Sequence, residues 1–132
     1  VSPNHLDPEG IMAACEQSLK NLQTDYIDLY QIHWPNHQIA IETSWRALED
    51  LVASGKVRAL GVSNFAVGDL SDLLAVGRLE ANQLPYSLLW RAIEYEVLGL
   101  CCEHGVGLIC YALLAQFLAY RVYVHKRRDN TE

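Results

Sequence analysis

Apolar positions along this chain alternate between two periods, helical and extended. From Pro8 onward they fall at helical spacing, with Ile11, Cys15, Leu19 and Leu22 on one face. Asp7 suits the cap, Pro8 the first turn and Glu9 the positive end of the helix dipole, so a helix is predicted from there to about Asn21. Tyr26, Ile27, Leu29, Tyr30 and Ile32 then bring the β-branched, aromatic and aliphatic side chains that a buried strand favours. Pro35 has no N–H for a ladder and holds Trp34 extended. The strand therefore stops there and delivers His33 and Trp34 at its C-terminal tip, the end where parallel α/β sheets bind ligands.

The same pattern repeats three times. Ile41, Trp45, Leu48 and Val52 form the stripe of a second helix, Ile41 to Ser54, with Arg46, Glu49 and Asp50 outside. Gly55 is its stop and Lys56 is placed for the last carbonyls. Val57 to Val62 is predicted as a strand ending in Ser63-Asn64-Phe65. Asp69 to Val76 is a third helix, with Leu70, Leu73 and Leu74 inward, and Ala81 to Leu84 a third strand cut by Pro85. Ala92 to Glu103 is a fourth helix, ended by His104-Gly105, and Val106 to Tyr111 a fourth strand. Helices alternating with strands over short loops imply an α/β fold with parallel pairing and right-handed crossovers. Doubly wound and barrel-like sheets both remain open on this pattern. A full (β/α)8 barrel takes about 250 residues, against 132 here.

Composition changes this picture little. Half-apolar content with 20% charged residues is that of a globular domain. A net charge of −6 leaves no basic footprint for nucleic acid and disfavours anionic membranes. Cys15, Cys101, Cys102 and Cys110 have no CxxC or metal-ligand spacing, so reduced, mostly buried thiols in a cytoplasmic protein are expected, with no metal. No signal-peptide pattern is present, and a chain beginning at Val1 rather than Met reads as a piece of something longer. Val106 to Val124 is apolar but for Gly107, Gln116 and Arg121, and Arg121 argues against a membrane span.

The chemistry collects at strand ends. The first carries His33-Trp34, the second Ser63-Asn64, the third Asn82-Gln83 and the fourth Tyr111. Ser, Asn and Gln suit a neutral amide, a Tyr offers a flat face to a ring, and a His can donate to a carbonyl oxygen. Four neighbouring parallel strands would gather these groups on one rim, as a small-molecule site for a flat, amide-bearing ligand. The glycine loops GxGxxG and GxxxxGK[ST] are absent. Blander roles compete at each position. Ser63 and Asn64 can cap the next helix, Gln83 can be a satisfied buried amide, and Tyr111 can be core. Trp45, Trp90 and the Cys101-Cys102 pair read as packing; His5, His37, His104 and His125 read as surface or cap residues.

Three stretches resemble signatures of the aldo-keto reductase family, in order and at its spacing. They are Asp25-Tyr26-Ile27-Asp28-Leu29-Tyr30-Gln31-Ile32-His33-Trp34-Pro35, then Gly55-Lys56-Val57-Arg58-Ala59-Leu60-Gly61-Val62-Ser63-Asn64-Phe65, then Asn82-Gln83-Leu84-Pro85-Tyr86-Ser87. The resemblance implies a partial (β/α)8 TIM barrel of four consecutive helix–strand units. It implies NAD(P)H-dependent reduction of a small carbonyl substrate without metal, NADP(H) being the cofactor. It assigns the substrate carbonyl to His33, the nicotinamide carboxamide to Ser63, Asn64 and Gln83, the nicotinamide ring to Tyr111, and a wall of the substrate pocket to Trp34.

The resemblance runs over residues 1–116, leaving 117–132 as a divergent tail. The family's proton-donating Tyr and its supporting Asp and Lys belong to strands ahead of the His33 strand, and would lie upstream of Val1. Tyr26, Tyr30, Asp25 and Asp28 belong to the His33 strand and do not replace them. Where the family continues with Tyr-Ser-Pro-Leu and a glycine-rich turn, this chain has Tyr111-Ala112-Leu113-Leu114 and Phe117. The final strand that grips the adenosine 2′-phosphate is missing. The expectation is a truncated reductase, inactive or weakly active alone. The alternatives are a non-catalytic interaction module on the same fold and a product without a function of its own. A half barrel also leaves open sheet edges, so self-association is expected, with Phe117 to Val124 a candidate cover.

Overall fold

The computed structural model describes residues 1–113. The tail at 117–132, its apolar Phe117 to Val124, His125 and the limit at Gln116 lie outside the described residues. Four helices and four strands alternate: α1 (Pro8–Leu22), β1 (Ile27–Ile32), α2 (Ile41–Ala53), β2 (Val57–Ser63), α3 (Val67–Leu74), β3 (Ala81–Pro85), α4 (Val97–His104) and β4 (Gly107–Tyr111). Short 3-10 turns at Pro3–His5 and Ala92–Glu94 precede α1 and α4. The strands form one parallel sheet in chain order, β1-β2-β3-β4. Among the described residues no helix is long and apolar enough to cross a membrane.

Local chemistry sets the boundaries. Asp7 caps α1 by accepting the Gly10 N–H at 2.9 Å. After α2, Gly55 takes φ +78° and donates to the Val52 carbonyl at 2.9 Å, while the Lys56 N–H reaches the Leu51 carbonyl at 3.1 Å. This is the paired Schellman stop that a left-handed glycine permits. The Lys56 side chain does not serve those carbonyls; its ammonium pairs with Glu16 on α1.

The two faces of the sheet differ. Tyr30, Ile32, Leu60 and Val62 pack beneath the helices against Ile11, Cys15, Trp45, Leu48, Leu51, Leu70 and Leu73. The register aligns Gln31 with Gly61, Gly61 with Ala81, Ser63 with Gln83, and Gln83 with Ile109. By strand alternation these residues form the opposite, concave face. Gly61 is small there for a reason: a Cβ would sit 3.0 Å from the Ala81 carbonyl and 3.2 Å from the Gln31 side chain. Val1 extends the sheet beyond β1, its amino group donating to the Gln31 carbonyl and its carbonyl accepting the His33 N–H at 2.9 Å.

Several expectations are corrected. Leu22 is 62% exposed, because the buried stripe of α1 ends at Leu19. Leu51, not Val52, continues the stripe of α2, since three residues on from Leu48 stays nearer its centre than four. The single helix expected over Ala92 to Glu103 is broken at Glu96, whose φ −141° and ψ −54° are non-helical and which stands just ahead of α4 without a side-chain cap bond. Upstream, Glu94 is held back on the loop by Tyr86 and a two-pronged bond from Arg91. Trp90 is 57% exposed rather than packed. Cys101 is buried, but Cys102 on the next helical position is exposed; all four thiols are free.

Candidate functional site

The strand tips converge on an open cavity of about 560 Å³, lined by Gln31, His33, Trp34, Ser63, Asn64, Gln83 and Tyr111. The six residues that the family resemblance assigned all meet there. Gln31 was missed, although alternation places it two residues before His33 on the same face. Asn82 lies elsewhere. It turns to the helix side, fully buried, and donates to the Phe65 carbonyl at 3.0 Å.

His33 and Trp34 leave β1 together, their rings edge-on with centroids 6.4 Å apart. The His33 imidazole and the Gln83 amide have no hydrogen-bond partner among the described residues, so both are available to a ligand. Ser63, nearly buried, donates through Oγ to the Gln83 carbonyl at 3.1 Å. The next residue, Asn64, adopts φ +64°, a left-handed conformation that Asn tolerates better than most side chains. There its N–H bonds the Gln83 carbonyl at 2.9 Å, tying the end of β2 to β3.

The Asn64 carboxamide is the hub. Its Nδ2 donates to the His33 carbonyl at 3.1 Å and to Ser63 Oγ at 3.0 Å. Its Oδ1 accepts from the Tyr111 hydroxyl at 2.6 Å. The contact joins the tips of β1, β2 and β4. Chemically, the cavity offers an imidazole, a free carboxamide, an aromatic face and a fixed amide oxygen. That set suits a planar ligand carrying an amide, beside a carbonyl that an imidazole can reach.

A second cavity, about 380 Å³, lies where the loop after β1 meets α3, lined among others by His37, Glu42, Phe65, Asp69 and Asp72. It shares no residue with the first. His37 faces Asp69 at 3.5 Å there. Among the described residues no three metal-ligating side chains gather into a metal site.

Known proteins match this arrangement. The model of the aldo/keto reductase family matches residues 1–132. The aldo-keto reductase YhdN of Bacillus subtilis is 40% identical over 114 residues, which are 86% of this chain and 34% of that protein. The methylglyoxal reductase YeaE of Escherichia coli is 41% identical over 119 residues, 88% of this chain and 42% of that protein. The chain thus spans well under half the length of these curated relatives. An aldo/keto reductase from Klebsiella pneumoniae, solved in complex with NADP and acetate, superimposes with a TM-score of 0.83 at 39% identity over 88% of this chain and 42% of that one. The thermostable aldo-keto reductase Tm1743, solved with the inhibitor epalrestat, covers 99% of this chain and 51% of its own length at a TM-score of 0.85 and 32% identity. The four helix–strand units are accordingly part of a (β/α)8 barrel. Matched along its whole length, the chain belongs to the aldo/keto reductase family.

Proposed function

We propose that this chain carries the carbonyl-orienting and nicotinamide-holding part of an NADP(H)-dependent reductase of small aldehydes and ketones. The observation that carries the reading is the convergence of His33, Gln83, Asn64 and Tyr111 on one cavity at the strand tips. Two features test the fit of a nicotinamide. Among the described residues the Gln83 amide has no partner, where a carboxamide needs a donor and an acceptor. The cavity of about 560 Å³ is of the size of small-molecule sites. The Klebsiella pneumoniae relative, solved with NADP, supports that cofactor.

In this reading a bound nicotinamide supplies the reducing equivalent. The chain's own residues hold and orient the reactants. Gln83, with Asn64 and Ser63, holds the carboxamide, and the Tyr111 ring covers the nicotinamide plane. The His33 imidazole donates to the substrate carbonyl oxygen and orients it, and Trp34 walls the substrate side.

Among the described residues no tyrosine but Tyr111 lines the cavity, and its hydroxyl proton is given to Asn64. Tyr30 is buried on the helix side, and Tyr26 lies under the Arg58 guanidinium at the start of β1, the opposite end from His33. A positioned acid contributes on the order of 10²–10⁴ in rate. We therefore assign the 132-residue chain weak or no turnover by itself, with residues 117–132 a tail apart from the barrel portion at 1–116. We read it as a cytoplasmic protein, because that reducing compartment keeps thiols free and all four of its cysteines are free.

Titration with NADPH, read by fluorescence and thermal shift, followed by methylglyoxal reduction on the same sample, tests this. Saturable binding that is lost in Gln83→Ala, with little turnover, is expected. No binding would overturn the cofactor reading, and rapid turnover would overturn the assignment of weak activity.

A further inference from the structure

The orientation of the Asn64 carboxamide follows from its neighbours. The His33 carbonyl can only accept, so the atom facing it at 3.1 Å must be the NH2 group. The same nitrogen spends its other proton on Ser63 Oγ at 3.0 Å, whose own proton goes to the Gln83 carbonyl. The remaining atom is the oxygen, and the Tyr111 hydroxyl, 2.6 Å away, must donate to it. A flip of the amide would set oxygen against the His33 carbonyl and two donors against each other at Tyr111. Backbone geometry adds to the lock, because Asn64 sits at φ +64° with its N–H tied to β3.

Both Asn64 N–H protons are thus consumed, and what Asn64 retains for a ligand is the second lone pair of its oxygen. Ser63 likewise retains only an acceptor. Gln83 can supply both a donor and an acceptor. The site therefore reads one side of a ligand with acceptors alone. An amide brings N–H groups to that side; a carboxylate brings only oxygens, and a negative charge.

We propose that the Tyr111 hydroxyl is a positioning group that locks the Asn64 oxygen toward the cavity, and that this lock makes the site select a carboxamide over the corresponding carboxylate. The inference rests on the nicotinamide reading above and adds to it a residue that sets ligand choice through another. The role differs from covering the ring: a ring-covering Tyr needs no hydroxyl.

Nicotinamide mononucleotide and nicotinic acid mononucleotide are suitable probes, differing only at the group in question. Their affinities for the full 132-residue chain and for Tyr111→Phe are compared by calorimetry, with melting curves for both proteins. The unaltered chain is expected to prefer the amide by about tenfold, the size of one net hydrogen bond. Tyr111→Phe keeps the ring and is expected to narrow that preference to about twofold. A merely structural role would weaken both ligands alike, and an unchanged ratio in the variant overturns the proposal. The Asn64 side-chain NH2 resonances give a separate reading. They are expected as a well-separated, slowly exchanging pair that moves in Tyr111→Phe. If neither nucleotide binds, the nicotinamide reading fails and the selection with it, while these resonances still decide whether Tyr111 fixes Asn64. If the variant does not fold, protection of the Asn64 pair in the unaltered chain, relative to exposed Asn4, decides the same point; a pair exchanging as fast as Asn4 overturns the lock.

Discussion

The first two helix–strand units and the last one are built to different standards. Between α1, α2, β1 and β2 the side chains of Ile11, Cys15, Trp45, Leu48, Leu51, Ile32 and Val62 are almost wholly removed from water. The last unit is thin by comparison. Only Cys101 of α4 is buried, no residue of β4 is, and the loop before α4 exposes Leu88, Leu89, Trp90 and Tyr95. A parallel strand normally has both faces covered; among the described residues β4 does not. The lesson concerns where precision is needed. The cavity draws His33 and Asn64 from the dense part and Tyr111 from the sparse part. One hydrogen bond between Tyr111 and Asn64 spans the two.

Deleting side chains in the dense half should cost most. Leu48→Ala is expected to lose about 3–4 kcal/mol, the transfer term plus an uncollapsed cavity, measured by urea unfolding. Gly77→Ala attacks the same region from outside. An added Cβ would come within 2.0 Å of the Trp45 indole nitrogen, so a loss of about 2–3 kcal/mol from overpacking is expected. If either variant melts like the parent, the dense half is not what holds the chain together. Val97→Ala, on the partly buried face of α4, should lose no more than about 1 kcal/mol, because its site is already open to water. Hydrogen exchange sharpens the contrast: amides of β1 and β2 are expected to outlast those of α4 and β4. The smallest effect concerns acid. Arg91 first, and then the Tyr86 hydroxyl, hold the Glu94 carboxyl below its usual value. A carboxyl depressed on folding adds stability above its unfolded value and loses it as the pH falls through the folded one. Glu94→Gln should therefore flatten the acid limb of the melting temperature slightly and loosen the loop, seen as line narrowing at Trp90. An unchanged acid limb would show that this exposed cluster holds nothing.

The same contrast governs how much could be read from the chain. In the dense half, period and breakers agree. Asp7-Pro8 starts α1, Gly55 ends α2, and Pro35 stops β1 beside His33, so elements and the site residues were legible together. Ser63 and Tyr111 followed because parallel strands put their last residues on one rim, and Gln83 joins them because the register sets it beside Ser63. In the dense half the misreadings are of single positions such as Leu22 and Val52; in the other half a whole element fails, where local and tertiary forces compete. Ala92 to Glu103 is apolar at helical spacing, yet Arg91 and Tyr86 draw Glu94 onto the loop and Glu96 breaks the helix. Trp90 looked like packing because its exposure depends on neighbours that no local pattern reports. At the site, the presence of Asn64 was legible, but the orientation of its carboxamide was not. That depends on a carbonyl 31 residues away and a hydroxyl 47 away.

The two borders of the sheet are unlike, and this bears on symmetry. At β1 the groups beside Ile32 are already bonded by Val1, whereas β4 has β3 as its one strand neighbour among the described residues. Head-to-tail addition, with β4 of one molecule running along β1 of the next, meets Val1 before it reaches the strand tip. Among the described residues pairing of β4 with β4 meets no such block, and it is antiparallel and two-fold. Repeated heterologous contacts build filaments, but an isologous contact closes on itself. Association of the 132-residue chain through its sheet is accordingly expected to stop at a dimer, visible as a single concentration-dependent step in sedimentation, with no larger species following it.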